Sequence, residues 1–126
     1  MTVGRSTSPR HQIGAQAEDF AARYLQDQGY RVIAQNYHQR CGEIDLIVCR
    51  DQLLVFIEVR RRKVSGYGDA LQSVTPAKQR KLYQTAQHFL QQHPQYQHFD
   101  CRFDVLAFNQ IGTQLQLEWI EAAFME

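Results

Sequence analysis

Glu43 and Asp45 lie in the segment Gly42-Glu43-Ile44-Asp45-Leu46-Ile47-Val48, and Glu58 lies in Leu53-Leu54-Val55-Phe56-Ile57-Glu58-Val59-Arg60. Both segments are otherwise apolar and rich in β-branched residues, the composition of buried strands. An ionised carboxylate in such a strand is costly unless it is paired, hydrogen-bonded or bound to metal. Neither Asp45 nor Glu58 has an obvious buried partner in the sequence. Metal binding is therefore the leading chemistry for them, because hard divalent cations take oxygen ligands.

The break Arg50-Asp51-Gln52 between the two segments decides whether these acids meet. A hairpin turning on Asp51 and Gln52, the commonest loop length, sets Asp45 opposite Glu58 and Glu43 opposite Arg60. Opposed residues have Cβ atoms roughly 5 Å apart, close enough for two carboxylates to share one cation. Alternation places Glu43, Asp45, Ile47 and Cys49 on one face beside Leu54, Phe56, Glu58 and Arg60. Ile44, Leu46, Val48, Val55, Ile57 and Val59 fall on the other, which is wholly apolar and must be covered. The sheet is then buried on both sides, with a polar pocket at one end of one face. Asp-Gln is not the Asn-Gly or Asp-Gly signal of such turns, and a one-residue slip would part the acids.

The elements that must position these residues follow from periodicity. A first helix is expected from Ile13 to Gln28, with Ala17, Phe20, Ala21, Tyr24 and Leu25 at helical spacing and Gly29 as its stop. Strands are expected over Tyr30 to Tyr37, Cys41 to Cys49 and Leu53 to Arg62, and a loop over Val64 to Val74. Thr75-Pro76 reads as a helix start, threonine as N-cap and proline at the first position. That second helix reaches Gln92, facing Leu82, Ala86, Phe89 and Leu90 to the core. Arg102 to Phe108 is a fourth strand and Leu115 to Ile120 a fifth at an edge, with the last residues as a short helical turn. A helix between the third and fourth strands implies a crossover and a mixed sheet, so the class is α/β.

The chain has 126 residues, 44% of them hydrophobic and 21% charged, which suits one domain with a real core. Residues 1–12 read as a flexible polar tail and 13–126 as a single domain. No apolar run approaches the roughly 20 residues of a membrane span, so no membrane partner is expected. Cys41, Cys49 and Cys101 form no zinc-binding pattern and suit free thiols in a reducing cytoplasm. A net charge of +1 does not announce a nucleic-acid binder, and local distribution matters more. Arg60-Arg61-Arg62-Lys63 follows the acidic strand directly, and Arg80-Lys81 with Lys78 forms a second cluster. Each cluster alone reads equally as a solvated face.

Other residues carry two readings. Glu18 sits early in the first helix, where the dipole favours a carboxylate, yet its neighbours Ala21, Ala22 and Leu25 mark a core-facing side. Glu43 either pairs with Arg60 or serves the outer shell of the site. Asp104, between Phe103 and Val105, reads as structural, pairing with Arg102 or capping the sheet end. Tyr67, in a glycine-flanked loop near Arg61, Arg62 and Lys63, either stacks on an unpaired base or lies at the surface. His38, His88, His93 and His98 show no ligand spacing and read as surface residues.

This arrangement resembles the PD-(D/E)XK nuclease superfamily, and more narrowly the uncharacterised bacterial family typified by YraN, related to archaeal Holliday-junction resolvases. The matching segments are Gly14-x-x-Ala17-Glu18, Asn36-Tyr37, Gly42-Glu43-Ile44-Asp45-Leu46-Ile47, Val55-Phe56-Ile57-Glu58-Val59-Arg60-x-Arg62, Tyr67-Gly68, Ser73-Val74-Thr75-x-x-Lys78-Gln79 and Cys101-Arg102-Phe103-Asp104-Val105. The resemblance implies a restriction-endonuclease-like αβββαβ core, with a mixed central sheet flanked by helices. It implies Mg²⁺ or Mn²⁺ at Asp45 and Glu58, with Glu18 adding a third acid. It implies DNA as partner and a homodimer, since two symmetric nicks need two sites. The superfamily pattern calls for lysine where Arg60 stands. Arginine stays protonated and cannot act as a base, although it can grip a phosphate in bidentate fashion or pair with Glu43. Lys78, on the inward stripe of the second helix, is a substitute for the missing lysine.

Three functions follow as expectations. The first is a metal-dependent endonuclease, a Mg²⁺-dependent phosphodiesterase acting on branched or structured DNA through Glu18, Asp45, Glu58, Arg60 and Lys78. Arg61, Arg62, Lys63, Tyr67, Arg80 and Lys81 would then bind the nucleic acid. The second is a weak or inactive nucleic-acid-binding module that keeps the nuclease fold, with Arg60 as the visible lesion. The third is an interaction scaffold whose acids are structural charge pairs.

Overall fold

Two apolar sheet faces need two covers, and the chain supplies one helix to each. The computed structural model describes residues 9–63, 74–111 and 113–124. Their order is α1 (Pro9–Asp27), β1 (Arg31–Gln39), β2 (Gly42–Arg50), β3 (Leu53–Lys63), α2 (Pro76–Gln92), β4 (Asp100–Ile111) and β5 (Gln114–Phe124), with a 3₁₀ turn at Pro94–Tyr96. The five strands form one sheet in the order β1-β2-β3-β4-β5. β3 and β4 run parallel, as a crossover through α2 requires, and the other neighbours are antiparallel. This mixed sheet with two helices is an α/β fold, consistent with a restriction-endonuclease-like core.

The β2–β3 hairpin turns where the sequence places it. Arg50 pairs with Leu53, and the register runs unbroken to Leu46 and Ile57. Asp51 takes φ 54°, a positive value at the first loop residue like that of the mirror-image hairpin turns. Aspartate is among the few non-glycine residues that adopt it readily.

Ala17, Ala21, Ala22 and Leu25 of α1 pack on Leu46, Val48, Val55, Ile57, Leu106 and Phe108. Leu82, Ala86 and Phe89 of α2 pack on Ile47, Leu54, Phe56, Val105 and Ala107. Each large side chain so buried contributes about 1.5–3 kcal/mol. Thr75 caps α2, its Oγ1 accepting the Lys78 N–H at 3.2 Å ahead of Pro76. No helix among the described residues is long and apolar enough to cross a membrane.

Several expectations are corrected. α1 begins at Pro9, so residues 9–12 are helical. β5 continues as strand to Phe124, with no helical turn before it. Phe20 does not join the core: it lies on the helix flank, 51% exposed, its ring edge-on to Phe108 at 5.6 Å. His88 and His93 are half-buried, His88 Nδ1 lying 3.0 Å from Tyr37 Oη and His93 stacking on Phe89 at 4.0 Å. Cys49 is buried, Cys41 half-buried and Cys101 exposed, and all three are free thiols.

Asp104 is fully buried and structural. Arg102 Nε and Nη2 donate to its two oxygens at 2.9 Å each, and Trp119 Nε1 and the Ala122 N–H donate at 2.9 Å. This carboxylate pins β5 where its register against β4 shifts between Phe103 and Val105.

Candidate active site

Strand pairing between β2 and β3 stops at Leu46 and Ile57, one step short of the acids. Beyond that point Asp45 Oδ2 accepts the Val59 N–H at 2.8 Å, so the carboxylate takes up a backbone donor at the fork between the strands. Two observations show why. In β1, Asn36 falls between the pairs Gln35–Leu46 and Tyr37–Ile44, at the level of Asp45, and takes φ 54°. Ile44 packs in the α2-side core together with Ile47, three residues along. Strict alternation is thus interrupted at Asp45. This corrects the expectation that Ile44 shares a face with Leu46 and Val48.

The acids draw partners from different layers. Glu18 on α1 is near enough to Asn36 and Asp45 for both to act on its carboxyl. Glu58 is 4% exposed, and its Oε2 receives Arg60 Nη1 at 3.0 Å and Lys78 Nζ, from α2, at 2.8 Å. Asp45 and Glu58 therefore meet at the fork, near enough for the Glu58 charge to act on Asp45. Glu58 does have buried-side cationic partners, contrary to the sequence reading. Among the described residues Glu43 pairs with His38, its Oε2 lying 3.2 Å from His38 Nδ1 on the exposed hairpin.

Electrostatics bind the cluster together. Burial, then the charge of Glu58, pushes the Asp45 carboxyl up to about 8, against the pull of the Val59 N–H; Glu18 and Glu43 add to the rise. Burial raises Glu18 as well, opposed by its hydrogen bonds to Asn36 and Asp45. Both shifts favour the protonated carboxyls, while Arg60 and Lys78 pair with Glu58. Among the described residues no three histidine, cysteine or acidic side chains close on a single point as a metal cage. The donor set nonetheless suits a hard cation in kind. Burial, with the neighbouring acids, raises the Glu18 and Asp45 carboxyls, and carboxylate oxygens are the ligands that hard cations take.

A cleft of about 340 Å³ opens beside this cluster, between the start of β2 and the first turns of α2. Gly42, Glu43, Thr75, Ala77, Lys78, Lys81 and Leu82 line it. A Cβ at Gly42 would stand 3.0 Å from Thr85 Oγ1, and the φ of 153° there is one that side chains rarely adopt, so glycine suits this close approach of β2 to α2. Of the expected nucleic-acid contacts, Lys81 lines the cleft, while Arg61 and Arg80 are exposed elsewhere. Arg62 and Lys63 continue β3, but their side chains, like all of Tyr67, lie outside the described residues. Sequence reasoning missed Asn36 as a site residue. The signal was an asparagine, the residue most tolerant of positive φ after glycine, inside a strand opposite an acid.

Fold and site together define an α/β protein with a mixed five-stranded sheet whose acids gather at the fork of its second and third strands. The model of the Uncharacterised protein family UPF0102 matches residues 17–108, and the chain belongs to that family. It is 47% identical to a UPF0102 protein of Psychrobacter sp. (strain PRwf-1) over 129 residues, covering 94% of this chain and 91% of the relative. A UPF0102 protein of Acinetobacter baumannii (strain AYE) is 45% identical, covering 90% of this chain and 94% of its own. One from Alcanivorax borkumensis is 49% identical over 112 residues, covering 88% and 90%. The names of these relatives carry the family designation and no activity.

Proposed function

We propose that this protein is a metal-dependent endonuclease of the PD-(D/E)XK type, related to the Holliday-junction resolvases and acting on branched or structured DNA. The observation that carries the reading is the convergence of Glu18, Asp45, Glu58 and Lys78 from four different elements on one fork. Mg²⁺ or Mn²⁺, when bound, supplies an activated water and offsets charge on the phosphate under attack. Glu18 and Asp45 would hold it, with Glu58 contributing once its cationic partners yield. Lys78, with three donors and one spent on Glu58, can hold the attacking water or a phosphate oxygen. Arg60 grips the phosphate and cannot act as base. Cutting both strands of a junction needs two such sites, so the reading calls for a homodimer, which light scattering of the purified protein checks.

The test is a cleavage assay on junction, flap and single-stranded substrates with Mg²⁺ or Mn²⁺, beside thermal melting in a cation titration. Binding to the folded state alone raises the melting temperature with concentration. Asp45→Asn should abolish both the rise and the cutting. No cation response together with no cutting by the unmodified protein defeats the proposal.

One observation favours a second reading. Glu58 Oε2 is already held by two cations, as a charge cluster that has lost its metal would be. On that reading the protein binds structured nucleic acid without turnover, and salt-sensitive binding without cleavage identifies it.

A further inference from the structure

The cleft between the start of β2 and α2 has a shape and lining that the acid cluster alone does not use. Its volume of about 340 Å³ sits at the small end of ligand pockets, which run from about 300 to 1,000 Å³. That is room for one nucleotide-sized group and not for a duplex. The walls are of two kinds. Exposed Ala77 and the edge of Leu82, which is otherwise buried in the core, offer a small apolar surface, and Gly42 leaves space that a side chain would narrow. Lys81 and Lys78 supply positive charge at the rim, and Lys78 also touches Glu58, so the cleft and the acids share a wall. Glu43 is exposed on the opposite side. A carboxylate only accepts hydrogen bonds, so it suits a base edge that presents an amino group.

We propose that this cleft receives one unstacked nucleotide of a structured DNA, the immediate neighbour of the phosphodiester held at the acid fork. The inference rests on the nuclease reading and sharpens it by naming the substrate class. The base lies against Leu82 and Ala77, its amino edge meets Glu43, and its phosphate meets Lys81 and Lys78. A continuous duplex cannot offer such a nucleotide without the cost of unstacking, which is least where the base is already unpaired. The preferred substrates are therefore junctions, flaps and mismatched sites.

The test uses the full chain with Ca²⁺ in place of Mg²⁺, and flap DNA carrying 2-aminopurine at the branch point. The fluorescence of this probe rises on unstacking, and it presents an amino group. Wild type should bind with a rise in fluorescence. Ala77→Trp, at an exposed position in the first turn of α2, fills the cleft. It should abolish the rise and weaken flap binding about tenfold, the worth of one base contact, while blunt-duplex affinity stays level. Lys81→Ala should keep the rise and flatten the salt dependence by about one phosphate contact. The cation-induced melting shift of Ala77→Trp should match wild type, which also shows that the variant folds. A probe that stays stacked on wild type, or unstacks equally on Ala77→Trp, overturns the cleft assignment and leaves the metal reading standing. Absence of both DNA binding and a cation shift in wild type removes the two together.

Discussion

Lys78 Nζ lies 2.8 Å from Glu58 Oε2, joining the first turn of α2 to the buried middle of β3 across a 20-residue separation in sequence. Arg60, two residues along the same strand, contacts the same oxygen at 3.0 Å. The glutamate thus has one cation in a rigid planar fork and one on a flexible stem with three rotatable donors.

That division predicts unequal effects of substitution. Lys78→Met should lower cleavage by about 10²–10⁴-fold, the range of a lost proton-transfer or water-orienting group. Its cost in stability should be only about 1 kcal/mol, because the lysine is 42% exposed and Arg60 still covers Glu58. Arg60→Lys should leave cleavage within a few fold. The opposite pattern, a neutral Lys78→Met with a large gain from Arg60→Lys, would show that the pocket lacked its lysine and that Lys78 is only a charge partner.

Asp45 gives the protein a pH signature. Its carboxyl ionises at about 8 in the folded chain against the ordinary value of 3.8. Below 3.8 both folded and unfolded chains hold the proton, and the contribution is whole. As pH rises from there the unfolded chain ionises first, so stability falls, and the loss is complete above about 8. Asp45→Asn has no proton to lose and lacks this slope. In EDTA its melting temperature relative to wild type should rise steadily across that window. Cation binding needs the ionised carboxylate, so the Mg²⁺-induced shift of wild type should grow over the same window. Parallel melting profiles for the two proteins would contradict the assignment.

The hairpin register was legible because each strand is buried on both faces, and only one pairing keeps Leu46, Val48, Val55 and Ile57 together under α1. The Thr75-Pro76 helix start was legible because capping is local chemistry. The side on which Asp45 emerges was not. It depends on Asn36 taking a positive φ in the neighbouring strand, and on the local loss of alternation that puts Ile44 beside Ile47. A period-two pattern carries no trace of such an interruption. The Lys78–Glu58 contact depends on how far α2 crosses the sheet, which is settled by Leu82, Ala86 and Phe89 packing on β2 and β3. Sequence placed Lys78 on the inward stripe and could go no further. Phe20 misled because its spacing fits the stripe while the narrow alanine surface of α1 lets the helix sit close and leaves the flank open.

Asp104 predicts a different phenotype, loss of fold without loss of chemistry. It accepts four hydrogen bonds, two from Arg102, in a fully buried site. Asp104→Ala leaves the guanidinium of Arg102 and the indole N–H of Trp119 without this acceptor. Removing one partner of a buried ion pair costs about 3–5 kcal/mol. Urea denaturation should show an extrapolated unfolding free energy lowered by that amount. The fraction that remains folded should still respond to Mg²⁺, because Asp104, although it pairs with Ile57 in the neighbouring strand, spends its carboxylate on Arg102, Trp119 and the Ala122 N–H. A variant that stays stable but loses its cation response would place Asp104 in the site instead.

The hairpin that carries the acids turns on Asp51, and its φ of 54° makes this position a test of the register. A β-branched side chain in that region is strained by about 1–2 kcal/mol, whereas glycine is not. Asp51→Val should therefore lower the melting temperature by about 3–8 °C, and Asp51→Gly should change it little. Asp45 and Glu58 lie six and seven residues along the chain from Asp51, on the two strands that the turn joins. The Mg²⁺-induced shift should thus persist in Asp51→Gly. If Asp51→Gly abolishes that shift while keeping stability, the turn has let the strands slip, and the acids meet only because Asp51 holds the pairing in place.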